Sequence, residues 1–132
     1  MSKSLGNTVE PQTVIKENGA EILRLWVAMV DYAEDQRIGK TILQGTIDSY
    51  RKLRNTLRYL LGALDGFAPQ ERLAPAEMPP LDRFILHRLW ALDRHVRAAY
   101  DDYRFQDVWR PVAEFSSNDL SAIKFDIRRD AL

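Results

Sequence analysis

The sequence predicts a mainly α-helical protein: a short connecting helical unit, then an incomplete up-down antiparallel helix bundle. Three observations carry this. Apolar residues recur in steps of three and four over long stretches. Period-two strand patterning is nearly absent. Prolines and glycines stand between the periodic stretches rather than inside most of them. At 132 residues there is room for one domain, or for one domain and a short appendage, and a hydrophobic content of 45% can fill a core.

The elements follow in order. The run from Glu10-Pro11 to Gly19 reads as a short helix, with proline in its first turn and Gly19 as a left-handed stop. Ile22, Leu23, Trp26, Val27 and Val30 mark a second helix, which gives way to the polar stretch from Asp31 to Arg37. From about Lys40 to Asp65 one long amphipathic helix carries the stripe Leu43, Ile47, Tyr50, Leu53, Leu57, Leu60, Leu61 and Leu64, and Gly66 closes it. Prolines at 69, 75, 79 and 80 make residues 67–80 the longest linker. Leu81, Ile85, Leu89, Leu92, Val96, Ala99 and Tyr103 predict another long helix, with a break near Arg104. Phe105, Val108, Val112 and Phe115 begin the last one. The Ser116-Ser117-Asn118-Asp119 run favours a turn or a new cap over a helix interior. The division expected is 1–38 and 39–132, with the bundle in the second part.

Composition excludes several classes of chemistry. There is no cysteine, so disulfide scaffolds, thiolate metal sites and cysteine nucleophiles are ruled out. The two histidines, His87 and His95, lie too far apart on one helix to share a metal, and both read as surface or boundary residues. No metal site is expected. Nineteen basic and nineteen acidic side chains cancel, so any case for nucleic acid rests on local charge. No apolar run approaches the roughly 20 residues a membrane span needs, and the N-terminus has no signal-peptide pattern. The expectation is a soluble, cytoplasmic protein.

Local charge is found at Arg51, Lys52, Arg54 and Arg58, four cations with no acid between them. At helical spacing Arg51, Arg54 and Arg58 share one side of the long helix, with Asn55 beside them. A strip of this kind suits phosphate contact along an RNA strand. The plain alternative is a solvated helix flank, with Arg54, nearest the apolar stripe, packed by its aliphatic stem. Trp90, Trp109, Tyr100 and Tyr103 are expected to pack in the core rather than to stack on bases, the two tyrosines near a helix end being the exceptions to look for. Asp101-Asp102 and Asp119 with Ser121 read as turn and helix-start residues.

The N-terminal run Met1-Ser2-Lys3-Ser4-Leu5-Gly6-Asn7 is a hydroxyl-rich loop with one cation, able to surround an anion. It resembles the KMSKS signature loop of class I aminoacyl-tRNA synthetases, without the leading lysine. Gly19-Ala20-Glu21-Ile22-Leu23-Arg24-Leu25-Trp26 is similar to the helix that follows this loop in the isoleucine, valine and leucine enzymes. Leu5, Trp26 and Asp31-Tyr32 fit the isoleucine branch. Residues 48–58 resemble the helix that opens the anticodon-binding domain of isoleucyl enzymes, and residues 118–122 and 126–130 a later block. The chain departs from the pattern at Ile123-Lys124, where two aromatics are expected.

The resemblance implies a fragment of an isoleucyl-tRNA synthetase, an ATP-dependent ligase that joins isoleucine to tRNA(Ile). It implies the fold of the class I anticodon-binding type over residues 39–132, and over 1–38 the loop and stem-contact segment that ends the catalytic domain. By the same resemblance Lys3 is the catalytic ATP-phosphate contact, with Ser2 and Ser4 as loop partners. Arg51, Lys52, Asn55 and Arg58 are then the residues expected to position tRNA. ATP with Mg2+ is the parent's cofactor and none is expected on the fragment alone, which should be inactive. The parent is expected to be monomeric, and the fragment to self-associate through exposed apolar faces. The alternatives are the corresponding piece of a valyl or leucyl enzyme, or a free-standing helical interaction module.

Overall fold

A computed structural model of the chain describes residues 9–35 and 38–127. They are helical and hold no strand. No described helix is long and apolar enough to cross a membrane.

Helix α1 (Pro11–Asn18) begins on its proline, where the missing N–H costs nothing, and ends at Gly19. Gly19 has φ +88°, a conformation that side-chain-bearing residues rarely adopt, and its N–H bonds to the Ile15 carbonyl. The chain turns there straight into α2 (Ala20–Met29). Helix α3 (Lys40–Ala63) is 24 residues long, roughly 36 Å at 1.5 Å per residue. Val14, Ile22, Leu43 and Ile47 form a buried cluster joining α1, α2 and the first turns of α3. Val9, Leu23, Trp26, Ile38 and Tyr50 pack around it. Each buried aliphatic side chain contributes about 1.5–3 kcal/mol.

Gly66 (φ +76°) follows the end of α3, and the proline-rich linker holds one short 3-10 turn, Pro69–Glu71. Glutamates brace it: the Glu71 carboxylate accepts the Ala68 N–H at 2.8 Å and the Glu77 carboxylate that of Ala74 at 3.2 Å. Helix α4 (Pro80–Asp101) again starts on proline. Tyr103, at φ +58°, reverses the chain after it. Helix α5 (Gln106–Glu114) then runs without interruption into α6 (Phe115–Phe125), which is wound in wide turns of the π type.

The expected turn at Ser116–Asp119 is therefore corrected: the helix continues. Two of the polar side chains are satisfied inside it, because the Ser116 hydroxyl donates to the Val112 carbonyl at 2.8 Å and the Ser117 hydroxyl to that of Ala113. Asp119 is likewise not a helix-start residue. It is buried and takes both arms of Arg88, at 3.2 Å each. That hydrogen bond, with the attraction behind it, raises the Arg88 guanidinium above its usual pKa.

Cross-pairs fix the topology. Asp82 with Lys124, Arg88 with Asp119 and His95 with Asp107 run antiparallel between α4 and α5–α6. Ser49 with Trp109, Thr56 with Ser121 and Tyr59 with Phe125 run parallel between α3 and α5–α6. The direction is up, down, up, with the α5–α6 rod packed on α2, α3 and α4. Lys124, where the resemblance leads one to expect an aromatic, reaches Asp82 in the first turn of α4.

Candidate nucleic-acid interface

Arg51, Lys52, Arg54, Asn55 and Arg58 all lie in the middle of α3 and all are exposed. In this half of the helix the side chains turned toward α6 are Leu53, Thr56 and Leu60, of which Thr56 is fully buried. At 3.6 residues per turn they stand about 140–200° around the helix from Arg51 and Arg58. Arg51 and Arg58 therefore face away from the bundle, whereas Lys52, about 40° from Thr56, lines the groove beside α6. Arg54 is exposed as well, so it is not packed as its closeness to the apolar stripe led one to expect.

The charge on this strip is uncommitted within the described part of the chain. Arg24, Arg88, Arg97, Arg104 and Arg110 each hold a carboxylate, whereas none of the ion pairs among the described residues includes a cation of the strip. The nearest acid before the strip, Asp48, accepts a hydrogen bond from Gln44 at 2.9 Å. Paired surface cations present little net field, while this group presents four positive charges on two turns of helix.

Beside the strip, α3 and α6 enclose a cleft of about 580 Å³. Lys52, Asn55, Thr56 and Tyr59 line it from α3, Ser117, Ser121 and Phe125 from α6, and Asp126 from just beyond the end of α6. At its base the Thr56 hydroxyl donates to the Lys52 carbonyl at 3.1 Å and the Ser121 hydroxyl to the Ser116 carbonyl at 2.9 Å. The two oxygens stand 3.4 Å apart. The Tyr59 and Phe125 rings pack with centroids 4.3 Å apart, and Tyr59 remains 51% exposed. Periodicity could not find this cleft, since nothing in the spacing of Thr56 and Ser121 says that they meet.

The remaining candidates separate. Ser2, Lys3 and Ser4 lie outside the described residues. Trp109 is half-buried and donates to the Ser49 hydroxyl at 2.9 Å, as a core tryptophan should. Trp90 is corrected: it is 53% exposed, stacked on His87 and covered by the Arg94 guanidinium at 5.0 Å. It sits about 140° around α4 from buried Ile85, on the outer face of the helix. Tyr100 and Tyr103 are exposed and lean on Phe105. His87 and His95 are both at the surface. Among the described residues no group of three or more acidic or histidine side chains is placed to hold a metal ion.

Comparison with known proteins adds a family. The model of the class I tRNA synthetases (I, L, M and V) matches residues 1–39. Over its whole length the chain is 67% identical to an isoleucine–tRNA ligase of Caulobacter vibrioides. It is 57% identical to one of Brucella abortus and 56% identical to one of Ruegeria pomeroyi. The chain spans 14% of the length of each of these relatives.

Proposed function

We propose that the chain is one segment of an isoleucyl-tRNA synthetase, and that it supplies the ATP-contacting loop and the tRNA-positioning helices of an enzyme joining isoleucine to tRNA(Ile). Residues 1–38 end the catalytic domain and contact the acceptor-stem side. Residues 39–132 form the first part of the anticodon-binding domain. The observation that carries the reading is the exposed strip Arg51, Lys52, Asn55 and Arg58, in none of the ion pairs among the described residues, with Arg51 and Arg58 turned away from the bundle. Phosphate oxygens are the ligand such a strip favours, and they fix register rather than sequence.

In the complete enzyme Lys3, flanked by Ser2 and Ser4, holds the ATP phosphates, its ammonium set against the negative charge that builds up there as isoleucine is activated. Mg2+ would accompany the nucleotide; among the described residues no group of three or more acidic or histidine side chains is placed to hold it. Discrimination of isoleucine from valine, a difference of one methylene, belongs to parts of the enzyme other than this segment. The enzyme acts in the cytoplasm as a monomer.

The test is binding of the 132-residue chain to isoleucine tRNA across a salt series, with an anticodon-swapped tRNA beside it. Each phosphate contact contributes about 0.7–0.9 to the slope of log affinity against log salt. Arg51→Ala and Arg58→Ala should each lower the slope by roughly that amount. A slope that neither substitution moves would remove the strip from the interface.

A further inference from the structure

We propose that Asn18–Gly19 is a self-modification site: the asparagine loses its amide nitrogen through a cyclic imide, and the isoaspartate left in the turn loosens α1 from α3.

Local chemistry is the first argument. The peptide nitrogen after an asparagine lies within reach of the side-chain amide carbon, and the bond between them closes a five-membered ring. Glycine hinders this least, having no Cβ beside the attacking nitrogen. Asn18 is exposed, and its carboxamide makes no hydrogen bond among the described residues. An added Cβ at Gly19 would meet nothing within 4 Å, so the turn has room for the ring. The other described asparagines lack these features. Asn55 precedes Thr56 and Asn118 precedes Asp119, and both stand inside helices, where the following N–H belongs to the helix ladder.

The step balances with water alone. The Gly19 N–H gives its proton to hydroxide, the nitrogen bonds to Asn18 Cγ, and the amide nitrogen leaves as ammonia. Water then opens the imide. Opening at Cγ gives aspartate, whereas opening at the main-chain carbonyl routes the chain through Cβ and Cγ as isoaspartate.

The fold sets the pace. The Ile15 carbonyl holds the Gly19 N–H at 2.9 Å, and attack requires that bond to open. It is the closing bond of an eight-residue helix, where local opening is easiest. The reaction is thereby tied to the last turn of α1. Asp65–Gly66 is the internal comparison: Gly66 also has positive φ, +76°, but a carboxylate is a poorer electrophile than an amide and should react more slowly.

The surroundings decide what the product does. Asn18 borders a cleft between α1 and α3 in which Glu10 and Glu17 already stand, with Lys40 the only cation among the lining residues. A further carboxylate adds negative charge there, at the helix end where the dipole also disfavours it. Isoaspartate lengthens the main chain by a carbon between Val14 and Ile22, both buried in the cluster that joins α1, α2 and α3. The two side chains then no longer fit that cluster together.

The experiment incubates the 132-residue chain at mildly alkaline pH in heavy-oxygen water and maps the product by peptide mass spectrometry. Isotope and isoaspartate should appear at Asn18 ahead of Asn55, Asn118 and Asp65, and faster in urea than in buffer. Asn18→Gln should abolish the product at that position. Val14→Ala, which weakens the packing of α1, should speed the reaction in buffer by about tenfold and leave the rate in urea unchanged. If Val14→Ala unfolds the chain, the unaltered chain in buffer and in urea still decides. The aged fraction, separated by charge, should unfold at lower urea than fresh protein, and Asn18→Asp, with the charge but an unaltered main chain, should shift less. Product at Asn18 no earlier than at the other three positions in urea would overturn the site. Equal rates in buffer and urea, with helical circular dichroism intact in buffer, would overturn the control by α1. An aged fraction as stable as fresh protein would overturn the loosening of α1.

Discussion

Pro111 stands inside α5 without ending it, and His95 is the reason the helix tolerates it. Proline has no N–H, so the Asp107 carbonyl four residues earlier receives no hydrogen bond from position 111, where a proline ring also crowds it. His95, on α4, donates from Nε2 to that oxygen at 3.0 Å. The neighbouring helix thus supplies the hydrogen that proline removed. Replacing His95 by leucine keeps side-chain bulk and deletes the donor. A neutral hydrogen bond contributes a net 0.5–1.5 kcal/mol, roughly, and the half-buried position of Asp107 lets water recover part of it, so a loss of about 1 kcal/mol is expected. In a Pro111→Ala background the alanine N–H can close the helix bond, and losing His95 should then cost little. The coupling energy of the His95→Leu, Pro111→Ala cycle should therefore be about 1 kcal/mol, measured by urea unfolding followed through tryptophan fluorescence. Pro111→Ala alone decides nothing, because the gained N–H is offset by about 0.4–1 kcal/mol of added freedom in the unfolded chain. Additivity of the two substitutions within about 0.3 kcal/mol would refute the reasoning.

The parallel contact of α3 with α5 should show a similar coupling. Ser49→Ala and Trp109→Phe together should cost about 0.5–1.5 kcal/mol less than the sum of the two alone, read from thermal melts; full additivity would mean the indole bond contributes nothing. Gly19→Ala should lower stability by roughly 1–3 kcal/mol through backbone strain at φ +88°, since an added Cβ meets nothing within 4 Å; an unchanged melting temperature would count against that. Leu57→Ser and Leu61→Ser, at positions 51% and 71% exposed, should leave stability within about 0.5 kcal/mol yet reduce self-association in sedimentation. Association that does not change would clear this ridge of the role.

The elements legible in the sequence were those with chemical punctuation. Pro11 and Gly19 bracket α1, Gly66 closes the turn after α3, and the clustered prolines of 69–80 leave only a short turn between two long helices. What escaped depended on contacts far apart in the chain. Ser116, Ser117 and Asp119 have the local chemistry of a cap, and only Arg88, thirty-one residues back, turns Asp119 into a buried helical residue. Trp90 was misread because size and hydrophobicity favour the core, while its position on α4 sets it opposite the packed line of Ile85, Leu92, Val96 and Ala99. Position around the helix outweighed residue type. The basic strip was legible because three arginines at helical spacing, Arg51, Arg54 and Arg58, need only a helix to align them. The cleft beside it was not, because it needs α6 in its wide winding and in parallel register with α3.

The same register explains why one stripe on α3 has two fates. Leu43 and Ile47 are buried against α1 and α2, but those two short helices cover only the first turns of α3. Beyond Tyr50 the partner becomes α6, approaching from another side and burying Thr56, with Leu53 and Leu60 half covered. Leu57, Leu61 and Leu64 continue the first face and stay exposed. This change of packed face also sets the strip. Arg51 and Arg58 lie between the two packed directions, next to the open leucines and farthest from α6, where their guanidinium groups keep their hydration. A helix packed on one face throughout would have placed Thr56 in solvent, and the strip would have had no cleft beside it. The shift of partner near Tyr50 thus brings an exposed basic flank and a cleft of about 580 Å³ onto a single helix.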